Sequence, residues 1–112
     1  FVTFASGWGI STTYPNKPTI SKSSNVALMR GILEYSGVVN SDVTIFTLPA
    51  GHRPSLPDTY YHSFVGTARD SGAPAMRIIR VYGNGNVVLM AQGATIVNPA
   101  ISLDNINFVN GK

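Results

Sequence analysis

Apolar positions along this chain either alternate with polar ones or gather in short runs, and nowhere do they recur with a helical period. Val, Ile, Thr, Phe and Tyr dominate these runs, the residue types that suit a pleated, half-buried surface. Seven strands are predicted. They are Phe1–Ala5, Asn25–Tyr35 (the longest, NVALMRGILEY), Val43–Leu48, Tyr60–Arg69, Met76–Tyr82, Asn86–Gln92 and Leu103–Val109. Asn84-Gly85, between two apolar runs, predicts a two-residue hairpin turn, because both residues tolerate positive φ. That turn pairs Tyr82 with Val87, Val81 with Val88 and Ile79 with Met90. Gly72-Ala73-Pro74 predicts a second turn. Pro15, Pro18, Pro49, Pro54 and Pro57 mark loops or edges, and Gly51–Thr59 reads as an ordered irregular loop.

With that turn, one face of the hairpin carries Ile79, Val81, Val88 and Met90, and the other Ile78, Tyr82, Val87, Leu89 and Ala91. Both faces are largely apolar, whereas an antiparallel sheet in a small monomer has one polar face. The second face is therefore expected to be covered, by another sheet or by a partner subunit.

At 112 residues the chain is expected to form a single domain spanning 1–112. Eleven glycines and seven prolines agree with many turns. The absence of cysteine excludes disulfides, thiolate metal sites and a Cys nucleophile. No apolar stretch is long enough to span a membrane. The net charge of +3 comes from eight basic residues against five acidic ones. The basic residues are scattered, so no nucleic-acid surface is indicated. The two histidines lie ten residues apart with no ligand cluster, so neither a metal nor another cofactor is expected. The chain opens on Phe1 rather than Met, which reads as a carboxy-terminal piece of a longer protein with domains upstream.

The most specific stretch is Ile45-Phe46-Thr47-Leu48-Pro49-Ala50-Gly51-His52-Arg53-Pro54, in which a strand is stopped by Pro49 and turned at Gly51. It resembles the "TLPxGYRP" block of bacteriophage tail-protein carboxy-terminal domains. In that pattern the block follows a "V-x-L-x-G" strand and precedes a "RI-x-V-x-x-x-G-x-V" hairpin and an "LDxIxF" strand. Here those are Val26–Gly31, Arg77–Val87 and Leu103–Phe108, in the same order, and Gly7-Trp8 also fits. The chain thus resembles the head domain of a siphophage receptor-binding protein of the lactococcal-phage kind. The resemblance implies an all-β fold, a compact antiparallel barrel or sandwich of about six to eight strands. It also implies a homotrimer at the distal tail or baseplate of the virion, attached to other tail proteins and binding host cell-wall saccharides without catalysis. His52 departs from the pattern, which has Tyr there. The motif makes a strand-end turn and specifies no ligand, so no binding residue is carried over from it.

Saccharide sites combine flat apolar faces with planar polar groups. Trp8 offers such a face, or else anchors the core or a subunit interface. Tyr60, Tyr61 and His62 lead into a strand, with Tyr61 opposite in facing to the other two. Arg69 and Asp70 end that strand, as part of a site or as a surface ion pair. His52 and Arg53 lie on a loop, where Arg53 either grips an anionic group or braces the Pro-rich backbone. Arg77 and Arg80, inside the apolar hairpin, are expected to bond carbonyls or Asp104 across an interface. The shortage of acids suits an anionic, phosphate-bearing saccharide. Two other readings remain. A glycoside hydrolase would need two nearby carboxyl groups, such as Asp58 and Asp70, but a domain this small leaves little room for a deep cleft, so no enzyme is expected. A structural trimerisation cap without its own ligand would share every folding motif named above.

Overall fold

The computed structural model describes residues 3–5, 7–10, 18–71, 73–104 and 106–111. Among them all regular structure is β. The strands are β1 (Thr3–Phe4), β2 (Trp8–Ile10), β3 (Thr19–Ser23), β4 (Val26–Arg30), β5 (Ile32–Tyr35), β6 (Val38–Val39) and β7 (Val43–Thr47), then β8 (Tyr61–Asp70), β9 (Ala73–Tyr82), β10 (Asn86–Met90), β11 (Ile96–Val97), β12 (Pro99–Ser102) and β13 (Ile106–Val109). The main sheet runs β1-β7-β10-β9-β8-β12-β5-β2, a smaller one β13-β4-β3, and β11 pairs with β6. Every pairing is antiparallel. Together the sheets wrap into a nearly closed barrel.

The barrel is seven-stranded, within the six to eight expected, while short breaks divide the chain into more segments than that. Asn25–Tyr35 is two strands, not one. Gly31 sits between them at φ +103°, outside the extended region. Its amide donates to Asp104 Oδ1 at 2.9 Å, and its carbonyl accepts from Leu103 at 2.8 Å. The bend moves the chain from the small sheet (β4) to the main one (β5). Asp104 is thereby engaged with its own chain's backbone, and within the chain Arg77 pairs with Asp70.

The β9–β10 hairpin forms as predicted, but one residue out of register. Val81 pairs with Val87 and Ile79 with Leu89. The loop is three residues, Gly83-Asn84-Gly85, with Gly85 N donating to Tyr82 O at 2.9 Å and only Gly85 at positive φ (+95°). That is a tight turn followed by a left-handed glycine, one residue longer than the two-residue turn. A one-residue slip exchanges facing partners. Ile79, Val81, Val87 and Leu89 consequently share one fully buried face. Ile78, Arg80, Tyr82 and Val88 lie half-buried on the other. The second predicted turn lies at Ser71, since Ala73 and Pro74 already belong to β9; Gly72 is outside the described residues.

The core draws on every layer: Met29, Leu33, Ile45, Leu48, Ile79, Leu89, Ile96, Ile101, Leu103 and Ile106 are all fully buried. Each contributes roughly 1.5–3 kcal/mol of burial free energy.

Candidate ligand-binding face

The loop between β7 and β8 (residues 48–60) is held by backbone. Leu48 N donates to Gly85 O at 2.8 Å, and Ser55 N to Val109 O at 2.9 Å. Arg53 Nε donates to Leu48 O at 3.0 Å, and Arg53 O accepts from Gly111 N at 3.1 Å. Arg53 therefore staples this loop to both the hairpin turn and the chain's end. His52 is half-buried beside it, with Nδ1 shielded from solvent. Both read as loop architecture.

Trp8 is also architectural. It is 6% exposed and stacks on Tyr35 at 5.2 Å between ring centroids. A ring this covered cannot serve as an open platform for a sugar.

Tyr60 and Tyr61, by contrast, are exposed (64% and 43%). Gly83 N donates to Tyr60 O at 2.9 Å, which fixes this end of β8 against the hairpin turn. Register pairs Tyr61 with Tyr82 and Ser63 with Arg80, so all four project from the outer face. The two tyrosine rings lie 5.1 Å apart, and the Arg80 guanidinium carbon sits 4.1 Å from the Tyr61 ring centroid. This is a cation–π contact at a half-open site. Aromatic surface and a planar fork of donors thus stand side by side. The sequence pointed Arg80 to an interface and Tyr82 to the hairpin, not to this cluster. Only cross-strand pairing with β8 brings them to Tyr61.

His62 is exposed on the opposite side of the strand, 6.4 Å from the Phe64 ring. It opens onto a cavity of about 360 Å³ shared with β13. Arg69 and Asp70 lie at the far end of β8, which at about 3.3 Å per residue puts them some 30 Å from Tyr61. They join no site with the tyrosines. Asp70 pairs with Arg77, and both side chains are only about a fifth exposed. Arg69 instead borders a shallow basin of about 550 Å³, with Met76, Ala100 and Ser102 among its walls. Asp58 lies in the loop before β8, three residues short of the strand's start at Tyr61, and Asp70 ends that strand. That separation exceeds by several-fold the roughly 5–10 Å between the two carboxyl groups of a glycosidase.

No protein-family model matches the chain, and no curated protein sequence matches it. Its three-dimensional structure is similar to the crystal structure of the head domain of the lactococcal phage bIL170, with a TM-score of 0.72 over 98% of this chain and 94% of that one. The chain has the fold of a lactococcal-phage receptor-binding head domain. Sequence identity is 16%, so the likeness lies in the path of the backbone.

Proposed function

We propose that this domain is a non-catalytic adhesion head of a phage tail, which binds host cell-wall saccharides as a homotrimer at the distal tail or baseplate. The likeness to the bIL170 head domain along almost the whole of both chains carries the reading. The exposed Tyr60–Tyr61 pair with Arg80 and Tyr82 supports a saccharide ligand, since sugar rings stack on aromatic faces and hydroxyls take planar donors. Arg80 suits a phosphate-bearing saccharide, because a guanidinium grips two phosphate oxygens at once. Attachment to other tail proteins is part of this reading. Weak binding by one head becomes firm when many heads engage one wall.

The test is isothermal titration of the domain with fragments of host wall polysaccharide, with oligomeric state read by light scattering. The reading predicts saturable heat from a trimer, recovery of intact sugar, and a loss of affinity of about tenfold or more in Tyr61→Ala or Arg80→Ala. A trimer that gives no heat would favour the structural cap, the reading to which Trp8, His52 and Arg53 lend weight through their architectural roles. Shortened sugar fragments would mean catalysis and would overturn the proposal.

A further inference from the structure

The eight-stranded sheet begins with β1 and ends with β2, yet only three residues of chain separate these two strands. β1 pairs with β7 through Phe4 and Phe46, and β2 pairs with β5 through Trp8 and Tyr35. Ala5 N donates to Ile45 O at 2.9 Å, and Trp8 N donates to Ala5 O at 3.0 Å. The chain thus turns directly from one end of the sheet to the other. The segment from β1 to β2 is a strap laid across the seam where the sheet comes back on itself.

An aromatic ring anchors each end of the strap. Phe4 meets Phe46 edge-on at 6.3 Å between centroids and sits over Met29 and Leu103, where the main sheet meets the small one. Trp8 stacks on Tyr35. The Tyr35 ring is itself held in a slot. A Cβ added at Gly7 would lie 2.5 Å from its Cε1, and one at Gly37 would lie 2.9 Å from its Cε2 on the opposite edge. Only residues without side chains leave room for the ring there. Backbone pairing, by contrast, is slight. The strap has two residue pairs with β7 and three with β5, against ten between β8 and β9. Among the described residues, each of its strands has a neighbour strand on one side alone. A segment with few ladder bonds is held mainly by its side-chain anchors, and it opens when they let go. The short turn between the two anchors ties them together. We propose that the strap is a two-state latch, in which Trp8 leaves Tyr35 and Phe4 leaves Phe46 in one step, opening the seam while the rest of the barrel stays folded. The open state uncovers Phe46, Met29 and Leu103. The inference is independent of the saccharide reading, whose Tyr61 and Arg80 lie on β8 and β9.

The test uses the whole domain. Trp8 is the chain's sole tryptophan, so its fluorescence follows the strap, while far-UV circular dichroism follows the sheets. In urea the Trp8 signal should change at a lower midpoint and with a smaller m than the dichroism. Native-state amide exchange, read by NMR, gives the second measurement. The Ala5 and Trp8 amides should exchange at least about tenfold faster than the paired amides of β8 and β9. Tyr35→Ala removes the anchor at the β5 end alone. It should speed exchange at Ala5, on the β7 side, as much as at Trp8, by about tenfold, and change the β8–β9 amides less. The proposal fails if the fluorescence and dichroism transitions of the unmodified domain coincide, since the strap would then belong to the global unit. It fails if Tyr35→Ala speeds Trp8 but leaves Ala5 unchanged, which would mean that the two ends fray separately. It fails equally if the substitution speeds the strap and the β8–β9 amides alike.

Discussion

Arg53 and Arg80 carry the same side chain to opposite ends. Arg53 donates into a carbonyl of its own loop and sits under Gly85, where an added Cβ would meet its Nε at 2.6 Å and Leu48 O at 2.8 Å. Arg80 lies flat on a half-open tyrosine. The first is consumed by the fold; the second stays half-exposed on an aromatic face. Gly85 is the residue that makes Arg53's seat possible. Gly85→Ala adds both the clash and a strained φ, and should lower stability by about 1–3 kcal/mol, read as a fall in the urea midpoint at constant m. Asp70→Asn should lower it by about 1.5–3 kcal/mol in the same assay, because Arg77 would be left half-buried without its charged partner. His52 and Arg53 were legible as a turn but not as to role. A loop position says where the backbone bends, and only the neighbouring carbonyls say what the side chain does there.

At the scale of elements, alternation located six of the seven predicted strands as single strands, with ends shifted by a few residues. The seventh, Asn25–Tyr35, is divided at Gly31, where the chain changes sheet. Gly31→Ala should destabilise by about 1–3 kcal/mol, since a non-glycine residue pays strain at φ +103° and the bonds to Leu103 and Asp104 depend on that bend. Thermal unfolding checks it. The strands β2, β3, β6, β11 and β12 were not legible, because none carries a run of apolar residues or an alternation long enough to stand out from a loop. Hairpin register was also beyond reach. Asn84-Gly85 suits a two-residue turn, but Gly83 joined the loop, and an added Cβ there would lie 2.3 Å from Pro57 O. Close packing against the 48–60 loop is a tertiary contact that turn propensity does not contain.

Across the whole molecule, the expectation of a covered second face was answered in part. Its centre is half-buried, while Val65 and Met76 stand 63% and 71% exposed, Met76 in the wall of the basin at Arg69. In the proposed homotrimer these residues are natural contacts. Val65→Lys with Met76→Lys should leave the stability of the folded domain within about 0.5 kcal/mol and yet shift light scattering toward monomer. The sequence by itself determined the class of the fold, the order of its main strands along the chain, most of the turns between them, and the shortage of carboxylates. Those are local properties, set by side-chain period, by Gly and Pro, and by composition. Tertiary structure alone decided which aromatics face water and which arginine is spent on a carbonyl. Trp8 and Tyr61 look equally apt as sugar platforms until packing covers one with Tyr35 and sets the other beside Arg80. Burial and pairing depend on residues distant in the chain, and no local pattern encodes who those neighbours are.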